Sequence, residues 1–142
     1  MSAVAGIVVL AGRVLFSVFF VRSGIAHVRR QQAMGDYARS AAFPAPYLAG
    51  WPAGVWLLAA SLSIVLGIWP DLGSLMIAVF VVLAGLYFHR FWMVEDAGQR
   101  EMQAGNLFRN VALLGASLMM FGFSASAGED LRFMVTGPLF NP

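Results

Sequence analysis

Cysteine and lysine are absent from the 142-residue sequence, and histidine occurs only twice. The lack of cysteine excludes disulfides, thiolate metal sites and thiol–disulfide redox chemistry. Any metal or haem site would have to draw on His27 and His89, or on other chains. All nine basic residues are arginine, which we attribute to the base composition of the genome rather than to a chemical role.

Charged residues are also scarce. They make up 11% of the chain, whereas hydrophobic residues make up 60% and the mean hydropathy is +0.77. A soluble domain carries about 25% charged residues, so a soluble fold of this size could not cover its surface. Transmembrane segments of about 20 residues are the natural alternative. The net charge of +2 is carried by scattered arginines, which excludes a nucleic-acid footprint.

Four apolar stretches predict an all-α fold, an integral membrane four-helix antiparallel bundle with a single transmembrane domain over 1–142. The stretches cover residues 4–22, 52–69, 72–88 and 106–123. Only Pro70 and Asp71 separate the second stretch from the third, which predicts a tight hairpin. We expect the first stretch to be a retained helix, because Arg13 interrupts it and its start lacks the positive charge of a signal peptide. Residues 124–142 are expected to form a short extramembrane tail that packs against another subunit.

The arginines are distributed unevenly between the two sides of this predicted bundle. Four lie at the end of the first stretch or in the loop after it, two lie between the third and fourth, and Arg109 stands just inside the fourth. The other side has Arg132 alone. By the positive-inside rule, loops 23–51 and 89–105 are then cytoplasmic, and both termini of this multi-pass protein lie on the opposite side.

One face of the first stretch carries its only strongly polar groups. At helical spacings of three and four, this face contains Arg13, Ser17, Phe20, Gly24 and His27. An arginine at a helix centre costs about 2.5–3.5 kcal/mol on insertion scales, so Arg13 should turn inward or snorkel to the interface. Two roles remain open for it. One is structural, with backbone carbonyls or a tail carboxylate such as Glu129 or Asp130 as partner; the other is to bind a polar headgroup, such as a quinone carbonyl or an anion.

A second polar cluster is expected on the side where the first and third stretches end and the fourth begins. It contains His27, His89, Asn106, Arg109 and Asn110. Such donors at the mouth of a bundle could polarise a quinone carbonyl and transfer a proton. They could also form an interfacial hydrogen-bond network that closes the bundle, and bis-histidine haem ligation is the least favoured interpretation. We expect no catalytic residue and no metal site.

Two motifs occur here in the same order as in a known family. The first comprises Arg13-Val14-Leu15-Phe16, Phe20, Ser23-Gly24 and His27. The second comprises Phe91-Trp92, Gln99, Met102, Gln103 and the run 106–115. They resemble, respectively, the first helix and the last loop with the fourth helix of the DoxX family. The likeness extends from Gly12 to about Phe123.

The resemblance implies a small four-helix protein of the bacterial inner membrane. It also implies an association with quinone-linked redox systems, such as a thiosulfate:quinone oxidoreductase or a terminal quinol oxidase. Many relatives carry a glutamate early in the second helix, but here residues 53–57 contain no carboxylate. No acid lies inside any of the four stretches either, so a proton relay through the bundle lacks its obvious carrier.

These features favour an accessory, non-catalytic subunit of a larger quinone-linked, respiratory-type oxidoreductase complex. The subunit would anchor or stabilise its partners and shape a quinone pocket. Its expected partners are membrane lipid and other protein subunits, not nucleic acid, and no cofactor other than a quinone or a lipid is expected on this chain alone. The alternatives are a quinone-reactive membrane oxidoreductase in its own right and, less favoured, a small transporter or lipid-handling protein.

Overall fold

The computed structural model describes residues 1–140, apart from the side chain of Glu129, and most of this part of the chain is helical. Within it, five α-helices follow one another: α1 Ala3–Arg29, α2 Gln31–Ser40, α3 Trp51–Leu66, α4 Pro70–Phe88 and α5 Ala97–Ala127. Short 3-10 turns lie at Pro46–Leu48, Phe91–Met93 and Gly128–Asp130. The all-α prediction is confirmed.

Local signals in the sequence explain where the helices begin and end. Ser2 and Asp96 cap α1 and α5, because their side-chain oxygens accept the backbone amides three residues further on. Helices α3 and α4 both have a proline in the first turn, where a missing amide costs nothing. Gly67 ends α3 with φ of +67°. A Cβ there would lie 2.8 Å from Nη2 of Arg13, so glycine suits both the conformation and the space.

Consecutive long helices pack against each other and run antiparallel. Gly24, late in α1, meets Gly54, early in α3, so closely that a Cβ on Gly24 would lie 2.9 Å from the Gly54 carbonyl oxygen. Gly73, in the first turn of α4, lies against the last turns of α3. Gly85, near the end of α4, lies against the first half of α5. Glycine at these positions lets the backbones approach closely, as in helix pairs of membrane proteins.

The hydrophobic core lies where α1, α3 and α4 meet. Its buried side chains are Phe20, Leu57, Ala60, Ile64, Ile77 and Val81. Helix α5 adds only partly buried side chains to this core, and its buried residues are Asn110, Ser117 and Ser124. Helix α5 therefore packs along α4 with one side and leaves most of its surface exposed.

Helices α1 and α5 are longer than the apolar stretches within them, with 27 and 31 residues. Polar residues at one end of each helix continue it beyond the apolar stretch, so a prediction from hydropathy leaves them out. As a result, α1 enters the loop predicted at 23–51, which also contains α2, and α5 occupies the second half of the loop predicted at 89–105.

Helix α3, in contrast, is short. It ends at Leu66 after 16 residues, because Gly67 breaks it, whereas the apolar stretch continues to Trp69. Within the described residues, three helical segments are long and apolar enough to cross a membrane: Ala3–Arg29, Pro70–Met93 and Ala97–Ala127. The segment Trp51–Leu66 is the shorter apolar helix.

The chain after α5 folds back over the link between α3 and α4. The amide of Val135 donates to the Leu66 carbonyl at 3.2 Å, and the amide of Trp69 donates to the Gly137 carbonyl at 3.2 Å. We call residues 131–140 the tail, and the end of the molecule that they cover the tail end. Up to Phe140, the tail packs on its own chain. Packing of residues 124–142 against another subunit stays a prediction.

Asp71 fixes the far part of the tail. Its carboxylate is fully buried and accepts the amides of Leu139 at 2.9 Å and Phe140 at 2.6 Å. It also accepts the amide of Leu72 at 2.9 Å. A carboxylate in the first turn of a helix is favoured by the helix dipole, so the same group stabilises the start of α4 and the position of the tail.

Candidate functional site

The six residues predicted to bind a headgroup lie in two separate regions. Arg13 lies toward the tail end, where α3 stops. The other five lie toward the opposite end, which we call the histidine end: His27, His89, Asn106, Arg109 and Asn110. The structure therefore does not bring Arg13 together with the histidine cluster.

Arg13 is 5% exposed, and each of its three nitrogens donates to a backbone carbonyl. Nε reaches the Ile64 oxygen at 2.6 Å, Nη2 reaches the Val65 oxygen at 2.6 Å, and Nη1 reaches the Phe133 oxygen at 3.0 Å. The guanidinium thus joins the middle of α1 to the last turn of α3 and to the tail.

The last turn of a helix has four carbonyls without helical partners, and in α3 all four find donors. The Ser63 carbonyl accepts the amides of Gly67 and Ile68. The next two carbonyls accept hydrogen bonds from Arg13, and the Leu66 carbonyl accepts the amide of Val135 in the tail. A cation at this position also suits the negative end of the helix dipole.

These contacts correspond to the structural role that the sequence left open for Arg13, with backbone carbonyls as acceptors. Within the described residues, Asp130 is not among its partners, and the side chain of Glu129 lies outside them. Headgroup binding by Arg13 stays a prediction.

The two histidines tie different helices together. Nδ1 of His27 shares a hydrogen bond with the Ala49 carbonyl, and its ring lies edge-on to Phe80 with centroids 5.8 Å apart. Nδ1 of His89 bonds to the side-chain oxygen of Gln103 at 2.9 Å. A carbonyl oxygen only accepts, so Nδ1 of His27 carries the proton. His27 links α1 to the chain before α3, and His89 links the end of α4 to α5.

The remaining members of the cluster point in different directions. Asn110 is 8% exposed, and its amide donates to the Val81 carbonyl of α4 at 3.2 Å. Arg109 is exposed and lies over the ring of Phe19, with its guanidinium carbon 5.6 Å from the centroid. Asn106 is half-buried. Successive residues of a helix are turned by about 100°, which is why Asn110 faces the bundle and Arg109 faces outward.

We call the place where Arg109 of α5 lies over Phe19 of α1 the seam between α1 and α5. At this seam an exposed guanidinium lies on an aromatic ring. Within residues 1–140, apart from the side chain of Glu129, no group of three histidine or acidic side chains is placed to hold a metal ion.

Sequence reasoning missed Asp71, which it treated as part of a short link. Its position directly after Pro70, at a helix start, is a signal that could have identified it as a first-turn acid. The sequence carries no signal for the hydrogen bonds from Leu139 and Phe140 to Asp71. The donors are backbone amides, which every residue other than proline has.

We expect Arg13→Leu to destabilise the protein by about 2 kcal/mol or more, because each buried acceptor left without a donor costs about 1–3 kcal/mol. The tail should also loosen, so that trypsin cuts faster after the exposed Arg132. Thermal melting of the purified protein in detergent and timed proteolysis measure both effects.

Arg13→Lys should lie between the wild type and Arg13→Leu, because lysine keeps the charge without the planar set of donors. The matched control is Arg29→Leu on the exposed end of α1, which should leave both measurements unchanged. A melting temperature and a cleavage rate of Arg13→Leu equal to those of the wild type would contradict the structural role.

A family model matches part of the sequence. The DoxX family model matches residues 8–90, more than half of the chain, and this range contains most of α1 and all of α2, α3 and α4. The match ends before the second motif at 91–115, so the likeness of α5 to the family rests on those residues alone. No curated protein and no solved structure matches the chain. The chain belongs to the DoxX family, and this membership together with its three long apolar helices indicates a membrane protein.

Proposed function

We propose that α1, α3, α4 and α5 cross the bacterial inner membrane as an antiparallel four-helix bundle. The antiparallel packing of consecutive helices supports this arrangement. Helix α3, with 16 residues, measures about 24 Å at 1.5 Å per residue, whereas the hydrocarbon core is about 30 Å thick. The α3–α4 link and the tail supply the remaining depth. In this proposal the histidine end, with loops 23–51 and 89–105, lies in the cytoplasm, and the arginine distribution supports this orientation.

In this membrane, the protein acts as a non-catalytic accessory subunit of a quinone-linked, respiratory-type oxidoreductase complex. One observation carries the proposal: the polar groups best suited to chemistry are bonded to oxygens of their own chain. These groups are Arg13, His27, His89 and Asn110. Side chains held in this way stabilise the bundle, which suits a subunit that anchors or stabilises partners.

The exposed side of α5 offers a surface for a partner helix. Its glycines at 105, 115 and 122 have no atoms within 4 Å of a Cβ position. They lie on one exposed stripe together with Phe108 and Met119, which are 66% and 77% exposed. Small residues on a membrane helix allow another helix to approach closely.

We expect the tagged protein, extracted from membranes in a mild detergent, to migrate on a blue-native gel with a larger assembly that contains an oxidoreductase. Gly115→Leu should weaken this association, because a leucine side chain on the stripe keeps a partner helix at a distance. Leu62→Ala, at an exposed position of α3, is the control and should leave the assembly intact. A monomer that purifies without any oxidoreductase would argue against an accessory subunit.

A second candidate function is quinone binding by the protein itself, and the seam between α1 and α5 favours it. Arg109 could donate to a quinone carbonyl while Phe19 stacks against the headgroup ring. The partly exposed amide of Asn106, one turn before Arg109, could donate to the second carbonyl.

Titration of the purified protein with a quinol analogue, followed by tryptophan fluorescence, tests this second function. If the seam binds the headgroup, Arg109→Gln should weaken binding about tenfold, which corresponds to the loss of about 1.4 kcal/mol. Arg100→Gln, at an exposed arginine on α5, should bind as the wild type does. Equal affinity for the wild type and Arg109→Gln would remove the seam from consideration.

A further inference from the structure

An apolar groove with a cation at its rim runs along the outer surface of α1. It has a volume of about 370 Å³. Its walls are formed by Val14, Ser17, Val18, Val21, Ile25 and, from α3, Val65, with Arg22 beside them. None of these side chains belongs to the histidine cluster or to the seam between α1 and α5.

Arg22 differs from the four arginines that are bonded to groups of their own chain. Arg13, Arg90 and Arg100 donate to backbone carbonyls, and Arg39 forms an ion pair with Asp36. Arg22 is exposed, and within the described residues it has neither a hydrogen bond nor an ion pair. A guanidinium beside an apolar groove of a membrane helix is costly unless it finds an anion or water.

The groove has the length of one membrane leaflet. From Val14 to Ile25, α1 rises about 16 Å at 1.5 Å per residue, and half of the hydrocarbon core is about 15 Å. Arg22 lies toward the end of the groove from which α1 continues to Arg29 and the histidine end. In a phospholipid, the acyl chain spans this depth and the phosphate lies at the outer end of it.

A second positive charge lies near Arg22. Arg109 of α5 is held over Phe19, one helical turn before Arg22 on α1, and residues three apart are neighbours on a helix surface. Neither guanidinium is paired with a carboxylate within the described residues. The local charge is therefore positive and uncompensated, which favours an anionic ligand over a zwitterionic one.

We propose that this groove binds one anionic glycerophospholipid. An acyl chain lies along Val14, Val18 and Val21, and Arg22 donates hydrogen bonds to the phosphate. The site depends on the membrane insertion of α1 but not on the accessory-subunit role, so the two proposals succeed or fail separately.

The test is native mass spectrometry of the purified full chain, titrated with phosphatidylglycerol or phosphatidylcholine of identical acyl chains. An arginine near a membrane surface contributes about 1 kcal/mol to the binding of anionic lipid, which corresponds to about fivefold in affinity. We expect one phosphatidylglycerol to bind about fivefold more tightly than phosphatidylcholine. Arg22→Gln should remove this preference, whereas Arg100→Gln should retain it.

A second pair of variants tests the groove independently of the charge. Val18→Trp fills the groove and should weaken the binding of both lipids to a similar extent. Leu15→Trp, at a 74% exposed position outside the groove, should leave the binding of both unchanged. An unchanged preference in Arg22→Gln, or unchanged binding in Val18→Trp, would overturn the proposal. Displacement of phosphatidylglycerol by millimolar inorganic phosphate would also overturn it, because the site would then be one for a free anion.

Discussion

The bonds between Arg13 and the last turn of α3 are the interaction on which the rest of the structure depends. In the proposed membrane arrangement, α3, with 16 residues, is too short to cross the hydrocarbon by itself, so its final carbonyls would lie where water cannot reach them. Each unsatisfied carbonyl there costs several kcal/mol. Arg13, which would itself be costly in lipid, donates to two of these carbonyls. The guanidinium and the carbonyls, each unfavourable alone in lipid, thus stabilise each other. Their hydrogen bonds also fix the position of α1 along α3.

The tail forms hydrogen bonds on both sides of the α3–α4 link, at the end of α3 and at the start of α4. At the end of α3, a cation and the amide of Val135 meet the exposed carbonyls. At the start of α4, the Asp71 carboxylate accepts the amides of Leu139 and Phe140. Opposite charges therefore lie at opposite helix ends, each complementing the local dipole. The link itself is tight, with Trp69 at φ of +49°.

Because the buried polar groups are used in this way, the cations that remain accessible lie on the outside of the bundle. Arg22 and Arg109 are both exposed and have no carboxylate partner within the described residues. The inside of the bundle is thus built for stability. We propose its outer surface, along α1 and α5, as the place where lipid, a quinone or another subunit meets the protein.

The sequence predicts the four apolar helices from hydropathy, and it predicts that Arg13 either turns inward or snorkels to the interface, because an arginine is costly in lipid. In the structure Arg13 is turned inward. The sequence cannot name the acceptors of Arg13, which are carbonyls 51, 52 and 120 residues away and carry no side-chain signal. The start of α5 at Ala97 is missed by hydropathy because residues 97–105 are polar, although Asp96 caps the helix there. The sequence predicts the histidine cluster at one end of the bundle. It does not predict that Arg109 faces outward while Asn110 faces the bundle, because this depends on how α5 is rotated when it packs.

The measurement that tests this account most directly is disulfide cross-linking of the tail to α1 in native membranes. The chain has no cysteine, so a Gly6→Cys/Arg132→Cys variant carries only two thiols. A Cβ on Gly6 would lie 3.0 Å from the Cβ of Arg132, near the spacing of about 3.5–4.5 Å that a disulfide needs. The account predicts rapid cross-linking within one chain under mild oxidation, and none in the control Gly12→Cys/Arg132→Cys. Failure of the first pair to cross-link, or links only between chains, would contradict it.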